Sequence, residues 1–251
     1  MSRTAVYTGL VLRCRSSGES NNEVTLLTAE EGIIKATVFG GAKSKLRAHC
    51  APYNSGQIWI YRDKAKDLTH NFNHAKLSDF DVRSWRPGLR ELYDRTMTAA
   101  AVADTINSSH GGGGEWGTAL RLAAQTLDAL ENANEELCSC LLIHFLWRWA
   151  HFLGIQPNIE ICADCENKLN EKVIYYSAND GTAVCSDCSP QSSNSIKLNP
   201  GCRKWLSAVE KIEAPQLHRY SMDSKSSEEA KALVTSVLTG VIGKRLASWE
   251  W

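Results

Sequence analysis

Two cysteine pairs, Cys162-Ala-Asp-Cys165 and Cys185-Ser-Asp-Cys188, carry the most specific chemistry in this chain. Each pair sets two thiols on one tight turn, and the nineteen residues between Cys165 and Cys185 are enough to fold back and bring the pairs together. Four thiolates in this pattern meet the tetrahedral demand of Zn²⁺. The competing reading is unmetallated thiols or a disulfide pair. Four sulfurs leave the ion no open position for water or substrate, so the expected zinc is structural and catalyses nothing.

Other catalytic patterns are scarce. No Asp-x-Asp or His-x-His metal pattern is read along the chain, and a Gly-x-x-x-x-Gly-Lys-Ser/Thr phosphate loop is absent, which argues against ATP hydrolysis. Gly111 to Gly114 follow a helical pattern rather than a strand, and no lysine comes after them, so they read as a linker. His144 and His151 are seven residues apart on one helical face and read as core or interface histidines. The expectation is a protein that is not an enzyme.

The totals fit one large domain or two modest ones: 251 residues, 43% hydrophobic and 22% charged, which is ordinary for a soluble globular protein. The most apolar stretch, residues 141–153, is interrupted by His144, Arg148 and His151 and is too short and polar to span a bilayer. With nine cysteines and no secretory pattern at the start, a reducing cytoplasm is expected. Cys14, Cys50, Cys138, Cys140 and Cys202 then read as small buried hydrophobes. Net charge is zero but unevenly placed. Residues 1–80 hold eleven Lys/Arg against seven Asp/Glu, and between residues 32 and 66 seven cations face only Asp63. A concentrated basic stretch in a neutral chain points to local polyanion binding.

The elements that must carry these groups fall into two kinds. Residues 1–80 read as short strands: 5–13, 23–28, a turn at 29–32, 33–39, 57–62, and a last one within 70–80. In the third, Ile34, Ala36 and Val38 alternate with Lys35, Thr37 and Phe39. Five such strands suit an OB-type barrel, with an SH3-like barrel as the rival. From Pro87 the period becomes helical, with stripes from Leu89 to Ile106, Trp116 to Leu130 and Leu137 to Phe152. Further helices open at Asn199-Pro200 and at the capping-box pattern Ser226-Ser227-Glu228-Glu229. The fold class is α+β: a barrel over 1–80, then a helical domain over 81–251 that includes the cysteine module at 159–190.

The segment Phe39-Gly-Gly-Ala-Lys-Ser-Lys-Leu-Arg47 puts three cations within five residues beside glycines, and Phe39, Trp59 and Tyr61 flank it as faces for unpaired bases. The plainer reading is a solvated loop and a core Trp59. The cysteine module has the opposite sign: Glu160, Asp164, Glu166, Glu171, Asp180 and Asp187 outnumber Lys168 and Lys172, and four thiolates on Zn²⁺ add negative charge. Such a surface repels phosphate.

This order of parts resembles the bacterial RecO family of recombination mediators. The likeness rests on Phe39 to Arg47 with the following Pro52-Tyr53, on the two cysteine pairs, and on Gly243-Lys-Arg-Leu-Ala-Ser248, which is similar to the family's terminal Gly-x-x-Leu-x-Ser pattern. Phe39-Gly40 stands where the family often has an arginine, and His49-Cys50 where an apolar residue is common. The resemblance implies binding of single- and double-stranded DNA and annealing of complementary strands. It further implies contact with the single-stranded-DNA-binding protein and, with RecR, help for RecA at coated gaps, in a bacterial cytoplasm at the nucleoid. On this reading Lys43, Lys45 and Arg47 lead the DNA contacts, and Lys35, Arg62 and Lys64 extend them. Trp147-Arg148-Trp149 reads as a protein-partner surface or as core.

Overall fold

The computed structural model describes residues 3–18, 20–40, 44–62, 75–111, 114–169, 173–189 and 195–250. It divides into two compact units: Met1–Leu92 with Ala103–Glu131, and Tyr93–Val102 with Asn132–Trp251.

The first unit is built on five strands, β1 (Arg3–Ser17), β2 (Asn21–Thr28), β3 (Gly32–Val38), β4 (Ser55–Arg62) and β5 (Lys76–Ser84), with helix α1 (Lys45–His49) between β3 and β4. They close in the order β1-β2-β3-β5-β4. Closure depends on the length of β1. Its first half pairs with β4 through Arg3–Leu10 and its second half with β2 through Gly9–Ser17, with a register shift between Val11 and Arg13 where the strand turns from one neighbour to the other. A single parallel step completes the ring, Thr37 against Lys76, with the Thr37 N–H donating to Ala75 O at 2.9 Å. This is the OB-type arrangement, a five-stranded Greek-key barrel without free edges, and the SH3-like rival falls away. The alternation read from the sequence holds in three dimensions: Val24, Leu26, Ile34, Ala36, Val38, Ile58, Ile60, Leu77 and Phe80 fill the interior.

Two details differ from the sequence reading. Lys45–His49 is a helical turn rather than a loop, because its apolar side packs on the barrel. Leu46 lies against the core, Cys50 is fully buried, and His49 Nδ1 is 2.9 Å from Phe80 O. The last strand runs on to Ser84, where pairing with β4 outweighs the poor strand preference of Asp79 and Asp81; residues 70–74 lie outside the described residues.

The stripe expected from Leu89 is broken. Arg86 is buried with φ +45, Pro87–Arg90 forms one 3-10 turn, and helix α2 (Tyr93–Ser108) begins only afterwards, leaving Leu92 and Tyr93 exposed. Arg86 explains the bend: its guanidinium donates to Asp128 Oδ1 (2.6 Å), Tyr53 O (2.6 Å) and Ser55 Oγ (3.0 Å), which supplies the partners a buried cation requires. Helix α3 (Trp116–Leu130) packs against β2 and β1 of the same unit, and its Trp116 reaches the turn between β2 and β3. Gly32 turns that hairpin at φ +70, and a Cβ there would sit 2.7 Å from the Trp116 ring, so only glycine fits.

In the second unit, α4 (Glu135–Phe152) is capped by Asn134, whose side chain accepts the Leu137 N–H at 2.9 Å. It is apolar almost all round and is buried almost all round. Trp147 and Trp149 are 2% and 0% exposed, so the partner surface considered at Trp147-Arg148-Trp149 is corrected to core; Arg148 reaches the Ile212 carbonyl at 2.9 Å. Three short strands, β6 (Ile174–Ser177), β7 (Thr182–Cys185) and β8 (Ser195–Leu198), form a sheet in the order β7-β6-β8. Helices α5 (Pro200–Val209) and α6 (Ser224–Ile242) follow. Helix α6 starts ahead of the capping-box pattern, because Asp223 caps it by accepting the Ser226 N–H at 3.0 Å. The pattern's own residues do other work. Ser226 Oγ donates to Asp223 Oδ2 and Asn199 Oδ1, and Glu229 accepts the Asn199 N–H, which ties the start of α6 to that of α5. Among the described residues no helix is long and apolar enough to cross a membrane.

Candidate metal centre and nucleic-acid interface

The two cysteine turns fold alike. In the first, the Glu166 N–H donates to Cys162 O at 3.0 Å; in the second, the Ser189 N–H donates to Cys185 O at 2.9 Å. Glu166 takes a positive φ of 58° to finish its turn. The β6–β7 hairpin carries Cys185 at its end, and the Ala163 N–H bonds Ala183 O at 3.0 Å, which fastens the first turn to the strand leading into the second. As a result the sulfurs of Cys162, Cys165, Cys185 and Cys188 all lie within 4.8 Å of one another. Cys165 and Cys185 are 3.9 Å apart, close to the edge of about 3.8 Å for a tetrahedron of sulfurs about 2.3 Å from a metal. These four residues could hold one metal ion, and they are the only such group among the described residues.

The electrostatics fit a cation. Burial alone would raise the Cys162 thiol, but backbone N–H groups of Cys165, Cys185 and Asp164 point at its sulfur and bring it down to about 6. Cys188 moves the other way, pushed up by the sulfurs of Cys185 and Cys165 beside it. One thiolate is favoured by the backbone, and the crowding of the others is relieved by a positive ion. Glu160, Asp164, Glu166, Asp180 and Asp187 are all exposed around the cluster.

The barrel presents the opposite charge. Lys35 points outward from β3, Lys45 is exposed on α1, and Arg47 is half-buried on the same turn. Lys43 and Lys64 lie outside the described residues. Arg62 has a different situation. It shares the inward parity of Ile58 and Ile60 at the end of β4, and its guanidinium lies 5.9 Å from the Tyr7 ring centroid. Arg62 Nη2 donates to Glu31 Oε2 at 2.6 Å, and Tyr7 OH donates to Glu31 Oε1 at 2.7 Å. Burial would raise the Glu31 carboxyl, yet these bonds hold it below the usual range, while burial and the bond to Glu31 push Tyr7 up to about 12. Arg62 is therefore paired with an anion of its own chain.

Three outward cations, Arg13, Arg15 and Lys76, escaped the sequence reading. Strand register finds them: Lys76 sits between Tyr61 of β4 and Thr37 of β3, and Arg15 is opposite Glu23. Trp59 and Tyr61 are half-buried on the outer face and Phe39 is 49% exposed. Asp79-Phe80-Asp81, an Asp-x-Asp spacing also passed over, lies on β5, where Asp79 Oδ1 accepts the Phe80 N–H at 2.8 Å. Of the two histidines, His144 is core and His151 is exposed.

Comparison with known proteins finds two family models along the chain. Residues 1–79 match the family model described as Recombination protein O N terminal, and residues 90–250 match Recombination protein O C terminal. The chain is 24% identical to the DNA repair protein RecO of Desulfitobacterium hafniense over 251 residues, covering 96% of this chain and 86% of that one. It is 27% identical to the DNA repair protein RecO of Syntrophomonas wolfei, covering 88% and 84%, and 27% identical to that of Rubrobacter xylanophilus, covering 77% and 75%. Matched by the N-terminal and the C-terminal model of one family, the chain belongs to the RecO family of DNA repair proteins.

Proposed function

We propose that this chain is a recombination mediator that binds single- and double-stranded DNA on its barrel and anneals complementary strands. It assists RecA, together with RecR, on gaps coated by the single-stranded-DNA-binding protein, and acts in the bacterial cytoplasm at the nucleoid. It makes and breaks no covalent bonds. The four cysteines hold a structural Zn²⁺ that braces the second unit.

The observation that carries this reading is the separation of charge: exposed Lys35 and Lys45 with Arg47 on the barrel, and exposed carboxylates around the thiol cluster. Annealing brings two phosphate backbones together, and each cation that neutralises a phosphate releases condensed counterions. A barrel supplies such cations on a rigid frame. Lys43, Lys45 and Arg47 lead, and Lys35 extends their contacts; Arg62 takes part only where a phosphate displaces Glu31. The test is annealing of complementary oligonucleotides coated with the single-stranded-DNA-binding protein, without nucleotide. Wild-type protein speeds annealing, and Lys43→Ala/Lys45→Ala/Arg47→Ala slows it at least tenfold. Unchanged annealing by the triple variant removes the barrel from the mechanism.

A further inference from the structure

On the outer face of the barrel, Phe39 is more exposed than the half-buried Trp59 and Tyr61. Val38 points inward at 1% exposure, so Phe39, the next residue, emerges outward and keeps 49% of its surface in solvent. The Lys76 ammonium lies 4.9 Å from its ring centroid. Lys76 is the residue of β5 in register with both Thr37 and Tyr61, and Lys35 leaves β3 on the same face as Thr37. The acidic groups on the neighbouring strands are Glu23, opposite Thr37, Asp79, opposite Trp59, and Asp81, opposite Gln57.

We propose that Phe39 is a stacking platform for a single unpaired base, with Lys76 taking the adjoining phosphate, and that this pair gives the barrel a preference for single strands. The inference rests on the barrel being the DNA-binding surface and adds strand selectivity to it. A large apolar ring held half-exposed gains by covering its open surface, and a nucleotide offers both partners at once, a base for the ring and a phosphate for the ammonium. In a duplex both faces of each base are already taken by the stack, so the ring gains nothing there and only the cation still counts. Phosphate contacts alone would treat the two forms of DNA alike in kind; an exposed ring separates them.

The experiment measures binding of the full chain to a fluorescent oligothymidine and to a duplex of equal length across a salt series. Phe39→Ala weakens single-strand binding about tenfold, leaves duplex binding within about twofold, and leaves the salt slope unchanged. Phe39→Tyr keeps the ring and keeps the affinity, whereas Phe39→Leu keeps bulk alone and does not. Lys76→Ala weakens both forms and lowers the single-strand slope by about 0.7. Equal losses for both forms in Phe39→Ala, or no loss, overturn the platform. If Lys45→Ala/Arg47→Ala still weakens binding in that case, the barrel remains the DNA surface; if it does not, that reading fails as well.

Discussion

The same side chain plays opposite parts in the two small β structures of this molecule. In the barrel, burial and the nearby Cys14 push the Cys50 thiol up to about 12, so it stays protonated and packs as a small hydrophobe. In the cysteine module, backbone N–H groups overcome the upward effect of burial and bring Cys162 down to about 6. Among the described residues the barrel has thirteen buried residues in one apolar cluster, whereas the module has three strands of four residues each. Sheets that small do not stand on apolar burial alone, which is why the module gathers four sulfurs. The lesson is a division of roles: the barrel, with the larger apolar cluster, displays cations to solvent, and the module, on shorter strands, brings together four sulfurs that could hold an ion.

Removing the proposed metal breaks this comparison most severely. Cys162→Ser, or a strong chelator, lowers the stability of the second unit by on the order of 5 kcal/mol. Amide hydrogen exchange then shows lost protection in β6 to β8 and α5, while the barrel strands keep theirs. A loss spread evenly over both units would deny that the barrel stands on its own core.

A smaller effect sharpens the contrast through pH. His144 is buried in α4, and desolvation drives it down to about 4 although the Ile212 carbonyl favours its protonation. Its folded value lies below its unfolded one of about 6.5, so the unfolded chain takes the proton first. Stability is therefore complete above about pH 6.5 and falls as pH drops toward 4, by roughly 3 kcal/mol. His144→Gln flattens that loss in urea titrations at pH 7 and pH 5. An unchanged pH dependence in the variant would mean that other groups control acid unfolding.

What the sequence made legible was what short range encodes. The cysteine pairs were clear because metal binding demands a fixed local spacing, and the barrel strands because alternation such as Ile34-Lys35-Ala36 survives any tertiary arrangement. Features set by distant partners stayed hidden. Arg62 looked like a free cation until Glu31, thirty-one residues earlier, closed on it. The Trp147-Arg148-Trp149 run could not be oriented, since a helix apolar on every side gives no outward face. α1 has five residues and is held by Leu46 on the barrel rather than by helix preference. Asp223 displaced a good capping box because the Ser226 and Glu229 side chains were needed at Asn199.

The central claim is that positive charge on the barrel, and not on the cysteine module, meets DNA. Its most direct test removes two cations from each region, Lys45→Ala/Arg47→Ala against Lys168→Ala/Lys172→Ala, and compares the salt dependence of single-strand binding. The barrel variant is expected to lose affinity and about 1.4 of the log–log slope, with the module variant matching wild type. The reverse outcome, a flattened slope only when the module loses its lysines, would contradict the account.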